Sequence, residues 1–142
     1  MSYNHFRVVY IEFGVKMRKL ASRHAASKSK VSVANDRIID LVYLSKMSIG
    51  DANLEIEMLN SFSNTAKSTF LRLCLCIDKN EIKSDLDSLF KVARGVGAKT
   101  IMSSIIDAKD DFAKNGVFSS ETIADIGFSV EEAREYIANI SQ

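Results

Sequence analysis

Residues 51–78 read DANLEIEMLNSFSNTAKSTFLRLCLCID, and this stretch decides the fold class. Its apolar residues recur at steps of three or four, the period that places side chains on one face of an α-helix. The recurring positions are Leu54, Met58, Phe62, Ala66, Phe70, Leu73 and Ile77. Because 3.6 residues complete a turn, the spacing predicts one amphipathic helix of about six or seven turns.

A shorter helix is predicted upstream of this stretch. Asn35 or Asp36 is its expected N-cap, since a short polar side chain ahead of an apolar run satisfies the first free backbone N–H groups. The sequence Ser48-Ile49-Gly50-Asp51 is expected to end this helix and to start the long one. The apolar positions of the short helix are Ile38, Ile39, Leu41, Val42 and Leu44.

A third helix is predicted after a turn at residues 78–81. One of its faces is charged and is formed by Lys83, Asp87 and Lys91. The adjoining apolar face is formed by Ile82, Leu86, Leu89, Phe90 and Ala93. This division predicts a helix with one side in the core and one side in solvent.

Two more helices complete the pattern. The fourth is expected to end at Asn115-Gly116, because Gly readily adopts the left-handed conformation that closes a helix. The last is predicted from about residue 119 to residue 140. Ser129 and Glu132 have the spacing of a capping box, which predicts a restart after a kink near Gly127. The apolar positions of the fourth helix are Ile101, Ile105, Ala108 and Phe112.

Composition favours an all-α fold. The 142 residues include no Pro, no Trp and six Gly, and this shortage of turn residues argues against a many-stranded sandwich or barrel. No apolar run approaches the roughly 18 residues of a membrane-spanning helix. Short connections between long amphipathic helices predict an antiparallel four-helix bundle with a short extra N-terminal helix. We expect this domain to be a monomer.

Charge divides the chain near residue 34. Residues 1–30 carry seven Lys or Arg against a single acid, Glu12, whereas residues 31–142 carry twelve against seventeen. We therefore expect a flexible basic arm at residues 1–34 and a helical domain at residues 35–142. Three interpretations of the arm remain open: a dispensable leader ahead of a start at Met17, a transit peptide, or a segment whose cations at 16–30 bind nucleic acid or an anionic membrane.

Motifs for catalysis or cofactor binding are scarce. The stretch Gly95-Val-Gly97-Ala-Lys99-Thr100 lacks the Gly that a phosphate loop has directly before its Lys. Asp107, Asp110 and Asp111 lie at helical spacing without a companion ligand, so they indicate a solvated acidic face. We expect no catalytic residue, no metal and no cofactor in this chain.

The histidines and cysteines support the same interpretation. His5 and His24 both belong to the arm, so no histidine is available in the predicted bundle. Cys74 and Cys76 are two apart in an apolar stretch, where helical geometry points them in different directions. Two buried thiols in a reducing cytosol are therefore expected, and we predict a cytoplasmic protein.

The third predicted helix contains the segment DSLFKVARGVGA at residues 87–98. It is similar to the signature H-T-L-K-G-S-A-R-G-I-G-A of histidine-containing phosphotransfer (Hpt) domains, notably alphaproteobacterial ones. Its second half matches that signature almost throughout. The start of such domains, an Ile-Asp and Leu helix followed by a Gly-Asp turn and a Leu-rich helix, resembles residues 39–62, and their closing helix resembles residues 123–137. The matching positions outside the signature are Ile39, Asp40, Leu41, Leu44, Gly50, Asp51, Leu54, Glu57, Leu59, Phe62, Ile123, Val130, Ala133 and Ile137.

The signature is altered where the family does its chemistry. Asp87 falls on the phosphorylated histidine, Phe90 on a Lys that offsets negative charge, and Lys91 on a Gly that gives the partner room. In the family the imidazole accepts a phosphoryl group from a receiver aspartate and passes it on. A carboxylate repels the incoming phosphoryl dianion, and an aspartyl phosphate normally requires a receiver-type acidic pocket with Mg²⁺. We expect phosphotransfer to be lost.

The resemblance implies a bacterial pseudo-phosphotransfer protein of two-component phosphorelays. It would bind response-regulator receiver domains as a decoy, adaptor or competitor, and a histidine kinase is a further candidate partner. Asp87 is expected either to pair with Lys83 and Lys91 four residues away or to mimic phosphohistidine weakly. The expected docking surface includes part of the second helix and Lys83, Ser84, Asp87, Ser88, Lys91 and Arg94. The alternative function is a helical module that binds nucleic acid or membrane through residues 16–30.

Overall fold

The computed structural model describes residues 38–141. They form five α-helices: α1 (Leu41–Met47), α2 (Ala52–Leu75), α3 (Lys79–Val96), α4 (Lys99–Asn115) and α5 (Ser120–Ile140). Helix accounts for 84% of these residues, and no strand is present among them, so the predicted all-α class is confirmed. None of the five helices is both long and apolar enough to cross a membrane. The predicted boundary near residue 34 lies outside the described residues and stays a prediction.

Four of the five helices begin at a side chain that accepts hydrogen bonds from free backbone N–H groups of the first turn. Asp51 and Asp78 each accept two such bonds, and Asp40 and Ser119 each accept one. Because losing a cap of this kind typically costs about 1 kcal/mol, these residues fix the helix starts. The exception is α4, which begins directly after Ala98 without a side-chain cap.

The four long helices contact one another in a ring. α2 packs against α3 and α5, and α4 packs against the same two helices, whereas α1 contacts α2 and α3. The interior of this ring is apolar, and burying each large aliphatic side chain contributes about 1.5–3 kcal/mol. Buried members include Leu59, Phe62, Ala66, Leu73, Leu86, Leu89, Ile101, Ile105, Ile126, Val130 and Ala133.

Gly97 joins α3 to α4 and also holds α1 in place. Its φ of 71° lies in the left-handed region, and its carbonyl oxygen accepts a hydrogen bond from the backbone N–H of Asp40 at 3.0 Å. A Cβ at this position would lie 3.0 Å from the Cβ of Asp40 and 3.1 Å from the Cδ1 of Tyr43. Lys99 adds an ion pair to Asp40 at 3.1 Å. The end of the signature-like segment is therefore a structural junction.

Two predicted helix starts are wrong. α1 begins at Leu41 with Asp40 as its cap, whereas the expected caps Asn35 and Asp36 lie outside the described residues. The predicted turn at residues 78–81 is already helical from residue 79, because the carboxylate of Asp78 caps α3. In both cases an Asp adjacent to the helix provides the cap.

The predicted restart in the last helix is also wrong, since α5 is continuous. Ser129 does not cap a helix with Glu132, because its hydroxyl donates to the carbonyl of Asp125 one turn earlier at 3.0 Å. The same hydroxyl lies 3.0 Å from the Oγ of Ser104 on α4, and Gly127 is buried within the helix. Ser129 therefore contributes to the contact between α4 and α5.

The apolar stripe predicted for α2 is buried from Phe62 to Leu73. Leu54 is 39% exposed in the first turn, and Ile77 is 93% exposed beyond the end of the helix. Leu59 is buried although it falls outside the predicted stripe. The buried members of the stripe are Phe62, Ala66, Phe70 and Leu73. The period was predicted correctly, but the first turn of the helix lies outside the core, and the helix ends at Leu75, before the predicted Ile77.

Candidate docking site around Asp87

The six predicted site residues share the outward face of α3. Helical spacing places them on one side of the helix, where five are exposed and Ser88 is half-buried. They are Lys83, Ser84, Asp87, Ser88, Lys91 and Arg94. The structure thus brings together the residues that the sequence singled out.

Asp87 lies near the centre of this face and pairs with a residue that the sequence analysis did not include. Its carboxylate accepts a hydrogen bond from the ammonium of Lys109 on α4, forming an ion pair. The side chains of Asp87 and Lys109 are 58% and 40% exposed. Within residues 38–141, Asp87 makes neither of the pairs expected with Lys83 and Lys91. Its charged neighbour comes from α4, a helix that the predicted docking surface did not include.

Lys83 lies against an aromatic ring of α4, while Asp87 pairs with Lys109. The Nζ of Lys83 lies 4.7 Å from the centroid of the Phe112 ring on α4, and the Nζ of Lys79 lies 6.0 Å from the same centroid. Phe112 stacks on Phe118, with ring centroids 4.4 Å apart and planes 16° from parallel. The ring draws the lysines through cation–π attraction.

These side chains line an open groove of about 590 Å³, which we call the α3–α4 groove. Its edges carry charge and its floor is largely apolar. The lining residues are Lys83 and Asp87 of α3, with Lys109, Phe112, Ala113, Gly116 and Phe118 on or just after α4. Sequence spacing could not reveal this groove, because it depends on how α4 packs beside α3.

A second ion pair lies on the opposite side of α3. Asp85 is only 6% exposed, and its Oδ1 accepts a hydrogen bond from the Nε of Arg72 on α2 at 2.8 Å. The same bond raises the pKa of Arg72 above its ordinary value. The sequence analysis missed this pair. The available signal was a carboxylate between Ile82 and Leu86, on the apolar side of α3.

The two cysteines are free, half-buried thiols, so the prediction that both are buried is wrong in degree. Burial raises the pKa of Cys74 to about 11. Desolvation is the largest cause that raises the pKa of Cys76, followed by Glu81, whose Oε2 lies 3.4 Å from the sulfur. Both thiols therefore stay protonated near neutral pH, which makes them weak nucleophiles.

Asp111 has a structural role at the end of α4. Its carboxylate accepts hydrogen bonds from the side chain of Asn115 at 2.6 Å, the backbone N–H of Ser119 at 3.4 Å and the hydroxyl of Thr122 at 3.3 Å. These bonds, led by that of Asn115, lower the pKa of Asp111. The predicted solvated acidic face thus includes a residue that fixes the α4–α5 connection.

The phosphate-loop-like stretch, a possible metal site and the histidines are the remaining features that the sequence analysis considered. The stretch that superficially suggested a phosphate loop is the junction of α3 and α4 at Gly97. No group of three or more His, Cys, Asp or Glu side chains suited to a metal ion occurs among the described residues. His5, His24 and the basic residues at 16–30 lie outside them.

Comparisons of the chain with known family models, with curated protein sequences and with solved structures found no match.

Proposed function

We propose that this chain is a pseudo-phosphotransfer protein that docks receiver domains of response regulators without carrying a phosphoryl group. Its described helices would form an antiparallel four-helix bundle, with α1 as the short extra N-terminal helix. The ring of contacts among α2, α3, α4 and α5 supports this arrangement. The observation that carries the proposal is the exposed position of Asp87 on the outward face of α3.

The surroundings of Asp87 support docking. Lys83, Lys91 and Arg94 are exposed on the same face of α3, and Lys109 adds a fourth cation from α4. A receiver presents an acidic phosphorylation pocket, so opposite charges would meet when the two proteins associate. The proposal therefore assigns these cations to partner recognition and not to catalysis.

The chemistry of Asp87 supports loss of phosphotransfer. Its carboxylate carries negative charge where the family's imidazole would attack phosphorus, and it is engaged by the Lys109 ammonium. The repulsion between a carboxylate and a phosphoryl dianion opposes the transfer. The protein would act as a decoy, adaptor or competitor, and a histidine kinase that contacts the same face is a further candidate partner.

The test follows label from radiolabelled phospho-receivers of the organism that encodes the chain. The natural chain, Asp87→His and the control Asp110→His, which places a histidine on an exposed position of α4, are each mixed with the receivers. The proposal expects label on Asp87→His alone. Label on the natural chain contradicts the loss of phosphotransfer, and label on neither histidine variant counts against receiver docking at α3.

The alternative, binding of nucleic acid or anionic membrane through residues 16–30, rests on the excess of cations in that part of the sequence. It predicts binding that is lost on deletion of residues 1–30 and that weakens steeply with salt. Receiver docking through α3 should survive the same deletion. One pair of proteins, full-length and deleted, therefore separates the two functions.

A further inference from the structure

We infer that the α3–α4 groove binds an acidic peptide segment of a partner protein, anchored by one bulky apolar side chain. This inference rests on the proposed function, because it specifies what a partner docked beside Asp87 presents to the groove. It places the recognition chemistry between α3 and α4, on the side of α3 that faces Lys109.

The charged side chains at the edge of the groove favour an anionic ligand. Among the described residues that line the groove, Asp87 is the one acidic residue, and Lys109 pairs with its carboxylate. Lys79 and Lys83 contact the Phe112 ring, and neither forms an ion pair within residues 38–141. An exposed cation–π contact is weak, and it leaves the N–H groups of the ammonium able to donate to an anion. Incoming carboxylates can therefore engage both ammonium groups without displacing Lys109.

The floor of the groove favours a peptide with one apolar anchor side chain. Phe112 and Phe118 form its aromatic part, and Gly116 leaves open space where a Cβ would point. The volume of about 590 Å³ falls within the roughly 300–1,000 Å³ of ordinary ligand pockets. Charge pairing at the edge alone would leave this floor empty, so one large aliphatic or aromatic side chain completes the fit.

The distribution of charge favours a short acidic peptide over a nucleic acid. Lys79 and Lys83, the two lysines against the Phe112 ring, are four residues apart and span about one helical turn. A nucleic acid backbone needs a longer basic track than these two lysines provide.

The test selects ligands from a random 12-residue peptide library displayed on phage, using the immobilised full chain. The enriched peptides are synthesised with a fluorophore, and their dissociation constants are measured by fluorescence polarisation. Each is measured against the natural chain, Lys83→Gln and the matched control Lys114→Gln, an exposed lysine of α4 outside the groove lining. Because Phe112→Ala removes a stacked ring and endangers folding, the test relies on the exposed Lys83.

We expect enrichment of peptides in which two or more acidic residues flank one aromatic or large aliphatic residue. Lys83→Gln should weaken their binding at least tenfold, while Lys114→Gln should change it less than twofold. Replacing the peptide's Glu by Gln should produce a similar loss, and added salt should weaken binding.

Three results would overturn the inference: no enrichment of acidic sequences, equal affinity for the natural chain and Lys83→Gln, or displacement of the peptide by a single-stranded oligonucleotide at equal concentration. The receiver-labelling experiment described above tests the proposed function independently of this peptide experiment. Groove binding without receiver binding overturns the proposed function alone, whereas receiver binding that Lys83→Gln leaves unchanged overturns the groove alone.

Discussion

Lys109 of α4 forms an ion pair with Asp87 of α3, and its ammonium also lies 5.7 Å from the centroid of the Phe90 ring. In the proposed resemblance to the Hpt signature, Phe90 falls on a Lys. A cation is therefore present beside position 87, although it comes from a different helix. This arrangement links two of the three altered positions in the proposed resemblance, because the same lysine contacts Asp87 and Phe90.

Lys109→Met tests the role of this cation. We expect the free energy of unfolding to change by less than about 1 kcal/mol, because the ion pair is exposed, while affinity for a receiver falls severalfold. Urea unfolding and a binding titration measure the two quantities, with Lys114→Met as the control on the same helix. Unchanged affinity would remove Lys109 from the docking surface.

Gly97→Ala should destabilise the fold by about 1–3 kcal/mol, since its left-handed φ of 71° is costly for a residue with a Cβ. The added methyl would also press on Asp40 and Tyr43 of the α1 segment. Gly95→Ala is the matched control, because Gly95 is within α3 with open space around it, and it should stabilise by about 0.5–1 kcal/mol. Similar urea midpoints for the two variants would contradict this account of the junction.

Arg72→Met should destabilise the fold more than Asp85→Asn does, because it leaves the buried Asp85 carboxylate without the guanidinium that it accepts from. The volume-conserving Asp85→Asn should cost less, about 1 kcal/mol, because no buried charge remains. Arg94→Met, at an exposed site on α3, is the control and should change stability by less than about 0.5 kcal/mol. If Arg72→Met behaves like that control, the pair does not contribute to stability.

Acid should weaken the fold partly through Asp40. The backbone N–H of Tyr43, followed by Lys99, lowers the pKa of Asp40 below its ordinary value of 3.8. A carboxyl with a depressed folded-state pKa stabilises the protein above the unfolded value and loses that contribution as pH falls through the folded value. Urea midpoints of the natural chain should therefore fall more steeply below about pH 4 than those of Asp40→Asn. Lys99→Gln should show an intermediate dependence, and parallel curves for all three proteins would exclude this role.

The helices were predictable where local periodicity determined them. The apolar repeats of α2, α3 and α4 and the closing Gly116 follow from spacing and from the conformational freedom of Gly. The cap of α1 was not predictable, because the start of this helix is also fixed by a tertiary hydrogen bond from the backbone N–H of Asp40 to the carbonyl oxygen of Gly97. The capping box predicted at Ser129 was wrong for a similar reason, because the hydroxyl of Ser129 contacts Ser104 on α4.

The candidate site was predictable in part. The outward face of α3 follows from helical spacing alone, so its six residues were identified together. Lys109 and the groove floor at Phe112 and Phe118 depend on the packing of α4, which no local pattern encodes. The absence of the expected pairs of Asp87 has the same cause, because α4 offers both Asp87 and Lys83 other partners.

The most direct measurement is an NMR titration of the ¹⁵N-labelled full chain with unphosphorylated receiver domains from the organism that encodes it. Docking at the proposed face predicts saturable shift changes concentrated at residues 83–94 and around Lys109, and their loss in the double variant Lys83→Glu, Lys91→Glu. Receivers that produce no saturable shifts, or shifts confined to residues 1–37, would contradict receiver docking at α3.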